Sequence, residues 1–358
     1  MPSADETSIE GPRILVSGWA GAGNVGDELL TRSLVAQIRA NDAVPVVASR
    51  APESTAALHG VESVAWGPKG RATLRSVDGV CLGPGGILQD SSSLWSLPGH
   101  LSVPGAARRR GIPLAAIGVG AEPLRRRSSG WLLRRVLAGR PVVTRDSDSS
   151  AALAAAGLDP TTGADVVFGL ELPAVERRRE IVVSVGGTVG SGVITPARRR
   201  IRPAPIGLIA EAVDRLASRL DATVVLTRFR GARDAAAAAE LADRLRSPSE
   251  VLSDDVDEHV RRVCGARVVV SSRYHPIVLA ARAGVPALAV STQAKVRSLA
   301  VQIGSPGVQI FDSWDDVGRA ETPEAVPPAV LEGVAVAHEA VGALVRAARA
   351  TRAERSSG

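Results

Sequence analysis

The feature that most constrains the fold is an alternation of continuous apolar runs with segments of helical periodicity, which occurs twice along the chain. Apolar strands that alternate with helices are typical of a parallel sheet covered on both faces. The stretch 170–180 interrupts the alternation with a proline and a run of charged residues, so we place an interdomain linker there. The sequence therefore predicts an α/β protein with two doubly wound domains that face each other across a cleft.

The predicted boundaries follow from this alternation. The domains are expected at 1–172 and 173–320, with a final helix and tail at 321–358. The predicted strands are 13–17, 44–49, 63–66, 79–82, 113–119, 141–144, 166–168, 181–185, 223–227, 267–271, 287–290 and 308–311. The predicted helices are 27–39, 101–110, 129–137, 147–156, 205–220, 232–246, 255–263, 276–283 and 326–349.

Composition narrows the class of protein. Hydrophobic residues make up 45% of the 358 residues, but aromatic residues only 3%, which disfavours a single-stranded nucleic-acid binder because such proteins stack bases on aromatic rings. Cys81 and Cys264 are expected to be buried free thiols, and no Cys/His spacing suggests a metal site. The N-terminus lacks signal-peptide features, and no apolar stretch has the roughly 20 residues of a membrane span. We expect a cytoplasmic protein. Its net charge of +6 is compatible with peripheral contact with the inner face of an anionic membrane.

A glycine-rich turn at 18–28 follows the first predicted strand and precedes a helix. Such a turn offers free backbone N–H groups to an anionic ligand. Asn24 and Asp27 lie inside it together with Gly23 and Gly26, and it lacks the Lys-Ser/Thr ending of a P-loop. The turn therefore predicts a ligand other than a nucleotide.

Polar residues also follow the strand at 267–271. Ser272, Arg273 and His275 come at its carboxyl end, just before a helix. Arginine matches carboxylate or phosphate, and histidine exchanges protons near neutral pH. A helix-capping cluster with a structural histidine is the alternative; we favour a functional site, and we interpret the other four histidines as structural or surface residues.

Two weaker segments add candidate ligand-binding residues. After the strand at 79–82, Gly85 and Gly86 allow close backbone approach, and Gln89 and Asp90 have side chains that hydrogen-bond sugar hydroxyls. Lys295 is one of only two lysines in the chain, and it is either a ligand contact or a solvated surface residue. The segment 144–150 is either a further site element or a helix N-cap.

Taken together, these segments resemble the polysaccharide pyruvyl transferase family. The resemblance covers about residues 13–300 and rests on motifs that occur in the family's order. They are Gly21-x-Gly23-Asn24-x-Gly26-Asp27-Glu28, Gly85-Gly86-x-x-x-Asp90, Ile117-Gly118-x-Gly120, Arg145-Asp146-x-x-Ser149 with Asp165, Ser272-Arg273-x-His275 with Ala280, Gly284-Val285-Pro286 and Lys295-Val296.

The resemblance implies two Rossmann-like domains in a GT-B-like arrangement and transfer of a pyruvyl group from phosphoenolpyruvate to two hydroxyls of a sugar. It places Arg273 and His275 at the donor site. We expect His275 to donate the proton, Arg273 to bind the donor's anionic groups and Asp27 to orient the acceptor or take a hydroxyl proton. The expected acceptor is a polysaccharide or glycolipid precursor, lipid-linked or not, and neither a metal nor an organic cofactor is required.

One position departs from the family pattern. An arginine often follows the first strand of the second domain, but here that strand runs into the glycine-rich stretch 184–192. Backbone N–H groups of this stretch, Arg228 or Arg230 are the candidate replacements. The rival functions are a nucleotide-sugar glycosyltransferase of the same build and a non-catalytic scaffold in polysaccharide assembly.

Overall fold

A computed structural model describes residues 11–186, 188–189, 202–203, 205–290, 294–303, 307–322 and 332–357. The first domain is built on a parallel sheet whose strand order is β3-β2-β1-β4-β6-β7-β8, with β5 paired to β6. The chain thus winds outward from β1 in one direction and then from β4 in the other. This reversal between β1 and β4 is the switch point at which doubly wound sheets bind ligands.

The elements of the first domain are mostly short and closely connected. The strands are β1 (Arg13–Ala20), β2 (Val44–Ser49), β3 (Glu62–Ala65), β4 (Gly79–Leu82), β5 (Gly85–Leu88), β6 (Leu114–Ala121), β7 (Val142–Thr144) and β8 (Thr161–Thr162). The helices are α1 (Val25–Arg39), α2 (Pro52–His59), α3 (Ser96–Arg109), α4 (Arg127–Leu137) and α5 (Ser147–Ala155), with 3-10 helices at Gly67–Arg75 and Val166–Gly169.

The second domain repeats the same winding. Its six-stranded parallel sheet has the order β13-β12-β9-β14-β15-β16, so its switch point lies between β9 and β14. The strands are β9 (Glu180–Ser184), β10 (Thr188–Val189), β11 (Arg202–Pro203), β12 (Thr223–Leu226), β13 (Ser249–Val251), β14 (Val268–Ser271), β15 (Ala287–Val290) and β16 (Val308–Phe311). The helices are α6 (Ile206–Leu220), α7 (Ala232–Arg244), α8 (Val256–Gly265), α9 (Tyr274–Arg282), α10 (Ala294–Ile303), α11 (Trp314–Arg319) and α12 (Gly333–Ser357).

The last helix, α12, returns to the first domain. Ala348 and Leu344 pack beside Gly79 at the start of β4, where an added Cβ would lie 3.2 Å from Ala348 Cβ and 3.6 Å from Leu344 Cδ1. Arg349 donates hydrogen bonds to the carbonyls of Asn41 and Asp42. The C-terminal helix is therefore part of the core packing of the first domain, although it follows the second in sequence.

A continuous apolar core joins the two domains. Leu29 of α1 and Val167 belong to the same buried cluster as Val260 of α8 and Ile277 of α9. A backbone hydrogen bond of 2.8 Å from Val25 N–H to the Phe229 carbonyl also crosses the boundary. Burial of this apolar surface holds the domains together along one side of the cleft.

Most predicted elements are confirmed, some of them shifted by a few residues. The stretch 170–179 has no regular secondary structure, in line with the linker, and both cysteines are buried and free. The strand predicted at 166–168 is wrong, because Asp165 caps a 3-10 helix there by accepting the Val167 N–H. The final helix was predicted at 326–349; residues 323–331 lie outside the described part, and α12 runs on to Ser357. Within the described residues, no helix is long and apolar enough to cross a bilayer.

Candidate active site

The candidate site lies where the two switch points face each other. The glycine turn after β1 and the loop after β4 contribute from the first domain, and the segment after β14 contributes from the second. The backbones nearly touch here, since a side chain on Gly231 would lie 2.8 Å from the Gly23 carbonyl oxygen. Two loops that approach so closely require glycine at the contact.

The turn after β1 serves mainly to hold Asp27 in place. Asn24 caps α1 by accepting the Gly26 N–H (3.1 Å), and its amide donates to Asp27 Oδ2 (2.6 Å). Desolvation and the neighbouring Glu28 raise the pKa of Asp27 to about 7. Asp27 can therefore take up or release a proton near neutral pH.

His275 is enclosed between the two domains. Its ring packs on Gly26, where an added Cβ would lie 2.1 Å from Nδ1. On the other side, Nε2 faces Asp165 Oδ2 at 3.8 Å, and neither of these buried atoms has a hydrogen-bond partner in the part of the chain that the structure describes. Burial, together with Arg145 and Lys295, lowers the pKa of His275 to about 3, so the imidazole is neutral at pH 7. Buried polar atoms without partners are costly, and a bound group that reaches them would relieve that cost.

Arg145 is the central cation of the site. It follows β7 and is 8% exposed. Its guanidinium carbon lies 4.6 Å from the centre of the Tyr274 ring, and its Nε is 3.2 Å from Asp146 Oδ2. Gly86 and Gly120 leave room for it, since a Cβ on either would contact the guanidinium. The buried ring and carboxylate hold this positive charge in a fixed position.

Arg273 contacts Asp234 rather than open solvent. Its Nε and Nη2 both donate to the fully buried Asp234 carboxylate, and its guanidinium lies against Gly186. Ser272 accepts the Gly186 N–H at 3.1 Å, which ties the ends of β9 and β14 together. Among the described residues, the other terminal nitrogen of Arg273 has no hydrogen-bond partner, and Asp234 sets its position.

Two further cations act on the same region. Lys295 is exposed, yet desolvation and the charge of Arg145 lower its pKa to about 8. Arg230 lies close enough to influence both Asp27 and Lys295. Arg228 instead donates to the Leu252 carbonyl (2.9 Å) and pairs with Asp254. Of the two arginines among the candidate replacements, Arg230 is thus the one that acts on the site; in the glycine-rich stretch 184–192, Gly187 and residues 190–192 lie outside the described part.

The loop after β4 has a mixed role. Gly85, at φ +109°, would place a Cβ 3.5 Å from Asp27 Oδ1, and Gly86 is exposed beside Arg145, so both border the site. Asp90 is buried and accepts the N–H groups of Arg125 and Arg126 at 3.0 Å each. Gln89 folds back on residues 91 and 92. Both side chains hold neighbouring loops in this structure, so we do not place them among the ligand contacts.

Sequence reasoning left Arg145 open within the segment 144–150, named Asp165 only in the family motif, and did not select Asp234 or Tyr274. Arg145 follows a strand at the same edge of the sheet as the glycine turn, which is the signal that singled out Arg273 in the second domain. The N-cap interpretation of its segment is also correct, because Asp146 accepts the Ser149 N–H at 2.7 Å. The interpretation of the other histidines as structural residues is correct for two of them. His259 accepts the Arg228 N–H, and His59 forms a hydrogen bond with Glu28.

Comparison with known proteins agrees with this geometry. Residues 24–293 match the family described as polysaccharide pyruvyl transferase. The chain belongs to the polysaccharide pyruvyl transferase family. The family match includes the glycine turn from Asn24 onward and the Arg273–His275 segment. A search of curated proteins gives no match for this pyruvyl transferase family member.

Solved structures with similar folds include a UDP-N-acetylglucosamine 2-epimerase and proteins bound to UDP or UDP-glucose. The UDP-N-acetylglucosamine 2-epimerase from Rickettsia bellii is 11% identical, with a TM-score of 0.58, coverage of 95% of this chain and 96% of its own. Staphylococcus aureus MnaA bound to UDP is 13% identical, with a TM-score of 0.53 and 86% coverage of each chain. Anabaena HepE bound to UDP-glucose is 15% identical, with a TM-score of 0.53 and coverage of 97% of this chain and 100% of its own. At these identities the similarity shows the fold alone: two Rossmann-like domains in a GT-B-like arrangement.

Proposed function

We propose that this protein transfers the pyruvyl group of phosphoenolpyruvate to two hydroxyls of a sugar in a polysaccharide or glycolipid precursor, forming a cyclic ketal and releasing phosphate. The observation that carries the proposal is the His275 imidazole between two domains, whose Nε2 has no hydrogen-bond partner among the described residues, with Arg145, Arg273 and Lys295 in the same region. Membership of the pyruvyl transferase family supports the choice of reaction. The donor and the ketal chemistry are our inference from the charges of the site.

The cations suit a small donor with several negative charges. Phosphoenolpyruvate carries a carboxylate and a phosphate within a few bonds of each other. Arg145 and Lys295 would offset this charge, and the remaining Nη of Arg273 would bind one oxygen. The depressed Lys295 pKa supports an anion site, because a bound anion would stabilise the ammonium that its cationic neighbours disfavour.

His275 would supply the proton that activates the donor. The methylene carbon of phosphoenolpyruvate takes this proton and becomes a methyl group, which leaves the adjacent carbon electrophilic. In the free protein the imidazole is neutral. An approaching dianionic phosphate favours the imidazolium, and Asp165, 3.8 Å from Nε2, would stabilise it.

Asp27 would complete the proton transfers. As a sugar hydroxyl attacks the electrophilic carbon, its proton passes to the Asp27 carboxylate, whose pKa of about 7 suits a base at neutral pH. The bond between that carbon and the phosphate oxygen breaks, and phosphate leaves with the proton held by Asp27. The second hydroxyl then closes the ketal as its proton passes to His275, which restores both groups. Asn24 and Gly23, on the acceptor side of the cleft, would orient the sugar.

The decisive experiment measures phosphate release from phosphoenolpyruvate with a panel of glycosides and glycolipids. We expect release to depend on an acceptor and to fall by about two to four orders of magnitude in His275→Ala, the range for loss of a general acid. The matched control is His338→Ala, because His338 is exposed on α12, and its turnover should stay near the native rate. Undiminished turnover in His275→Ala would remove His275 from the proposed role.

A nucleotide-sugar glycosyltransferase is the rival, since similar folds bind UDP or UDP-glucose. Such an enzyme would need a free carboxylate in the second domain for the ribose. Asp254 and Asp257 instead pair with Arg228 and Arg32, and Asp255 caps α8. Thermal unfolding in the presence of phosphoenolpyruvate or UDP-glucose separates the two, because only a ligand that binds the native state raises the melting temperature. Stabilisation by UDP-glucose alone would favour the rival, and stabilisation by phosphoenolpyruvate without turnover would favour a scaffold.

A further inference from the structure

Positive charge is concentrated in one part of the chain. Residues 91–145 contain ten arginines and a single carboxylate, Glu122, so this stretch has a net charge of +9, whereas the whole chain has +6. The remaining residues together are therefore net negative. An even compositional bias toward arginine would not produce this asymmetry.

The helices of this stretch, α3 and α4, cover one face of the first domain, whereas Arg145 lies in the candidate site. Helices α3 and α4 pack side by side and bury Leu97 and Leu133 in the same core cluster against the sheet. The loops before the two helices are joined through Asp90, which accepts the N–H groups of Arg125 and Arg126. Residues just before α3 and at the start of α4 therefore lie next to each other at one edge of the sheet.

Exposed apolar side chains occur on the same face. Trp95 is 80% exposed, Leu94 65% and Trp131 56%, and they make up three of the six exposed large hydrophobic residues in the described part of the chain. On α4, Arg127, Trp131 and Arg135 are exposed and follow one another at intervals of four residues, which places them along one stripe of the helix. The Arg135 guanidinium carbon lies 5.5 Å from the centre of the Trp131 ring.

We propose that this basic aromatic face, formed by Leu94, Trp95, Arg125–Arg127, Trp131, Arg134 and Arg135, docks the protein on an anionic lipid surface. Tryptophan prefers the boundary between lipid headgroups and acyl chains, and each basic residue near an anionic membrane adds roughly 1 kcal/mol of attraction. Arginines alone would suit any polyanion. The exposed Trp95 and Leu94 favour a lipid surface, because a hydrated polyanion gives them no apolar environment.

The face borders the cleft of the candidate site. Glu122 lies in the loop between β6 and α4 and acts electrostatically on Lys295. Docking would therefore bring one opening of the cleft close to the membrane. Under the proposed function, this position suits an acceptor sugar carried on a lipid; the docking itself does not depend on that function.

The test is flotation of the full chain with vesicles of phosphatidylcholine alone or with added phosphatidylglycerol. We expect binding only with phosphatidylglycerol, weakened by salt because exposed charges are screened. Leu94→Ser/Trp95→Ser and Arg127→Glu/Arg135→Glu should each reduce binding by at least about tenfold. The matched controls are Leu208→Ser and Arg244→Glu, which change exposed residues of the second domain and should bind as the native chain does.

Three results would overturn the proposal. One is no flotation of the native chain, and another is equal loss of binding in the control variants. The third is that the native chain binds immobilised heparin but no vesicles, and that Leu94→Ser/Trp95→Ser still binds heparin. The arginines would then recognise a soluble polyanion. Thermal unfolding of each variant shows whether a loss of binding comes from the changed surface or from loss of the folded state. We expect a melting temperature within a few degrees of the native value, because the changed side chains are exposed.

Discussion

Lys295 is a cation placed among other cations, and this determines how donor binding should depend on pH. Its pKa of about 8 lies below the ordinary value because its ammonium is desolvated and Arg145, Arg230 and Arg273 lie nearby. An anionic donor is bound best while Lys295 is protonated, so the affinity for phosphoenolpyruvate should fall as the pH rises through about 8. Turnover has two further requirements, an ionised Asp27 and a protonated His275, so donor binding rather than kcat/KM isolates the effect of Lys295.

Lys295→Arg tests this assignment. Arginine stays charged throughout the range, so the decline in affinity near pH 8 should disappear. The rise in melting temperature with added phosphoenolpyruvate, measured between pH 6 and pH 10, reports the affinity. An unchanged decline in the variant would mean that another group controls donor binding, and the cationic role of Lys295 would be dropped.

At the residue level, sequence position identified the right edge of each sheet but not the partner of each side chain. Arg273 and His275 follow a strand, so their edge was predictable. That Arg273 pairs with Asp234 depends on the packing of α7 within the second domain, and that His275 faces Asp165 depends on how the two domains pack. The role of Arg145 stayed open for the same reason, because its interdomain contact with Tyr274 cannot be read from local spacing.

At the level of elements, α1 depends on a glycine that faces the other domain. Gly26 lies in its first turn, and an alanine there would place Cβ 2.1 Å from His275 Nδ1. The ring or the domain spacing must shift to accommodate it. We expect Gly26→Ala to lower kcat/KM by about a hundredfold, a typical cost of misplacing a catalytic group by an ångström.

Gly130→Ala in α4 is the matched control. A Cβ there meets only ordinary contacts, the nearest at 3.5 Å from Arg134 Nη1, and alanine favours a helix interior. Activity should be retained, with a melting temperature equal to or above the native one. If both alanine variants keep full activity, the contact between α1 and His275 has no catalytic importance.

Buried strands with a continuous apolar run were predictable even at four residues, whereas several other short elements were not. The strands at 44–49, 79–82, 287–290 and 308–311 match β2, β4, β15 and β16. The sequence analysis missed α2, β5, β13, α10 and α11, which are ten residues long or less. In such short pieces, tertiary contacts decide the structure more than local pattern does. The predicted strand that became a 3-10 helix at 166–169 illustrates this, because Ser33 of α1 donates to its Val166 carbonyl at 2.6 Å.

The whole molecule combines two sheets with one shared core. Each sheet by itself has the strand order of an independent doubly wound domain. However, α12 returns to the first domain, and the apolar cluster around Leu29, Val260 and Ile277 runs through both. Separating the domains would expose this surface to water, which is unfavourable. The domains should therefore unfold together.

This cooperativity can be tested by weakening the shared core. Ile277 is fully buried on α9, which packs on the 3-10 helix of the first domain, so Ile277→Ala should cost about 2–5 kcal/mol and lower a single melting transition. Val213→Ala, in the core of the second domain alone, is the matched comparison and should lower the same transition without splitting it. Calorimetry distinguishes the cases, because a cooperative unit has equal calorimetric and van't Hoff enthalpies. Two resolved transitions in either variant would show that the domains fold independently, and the cleft would then be held by its polar contacts rather than by the core.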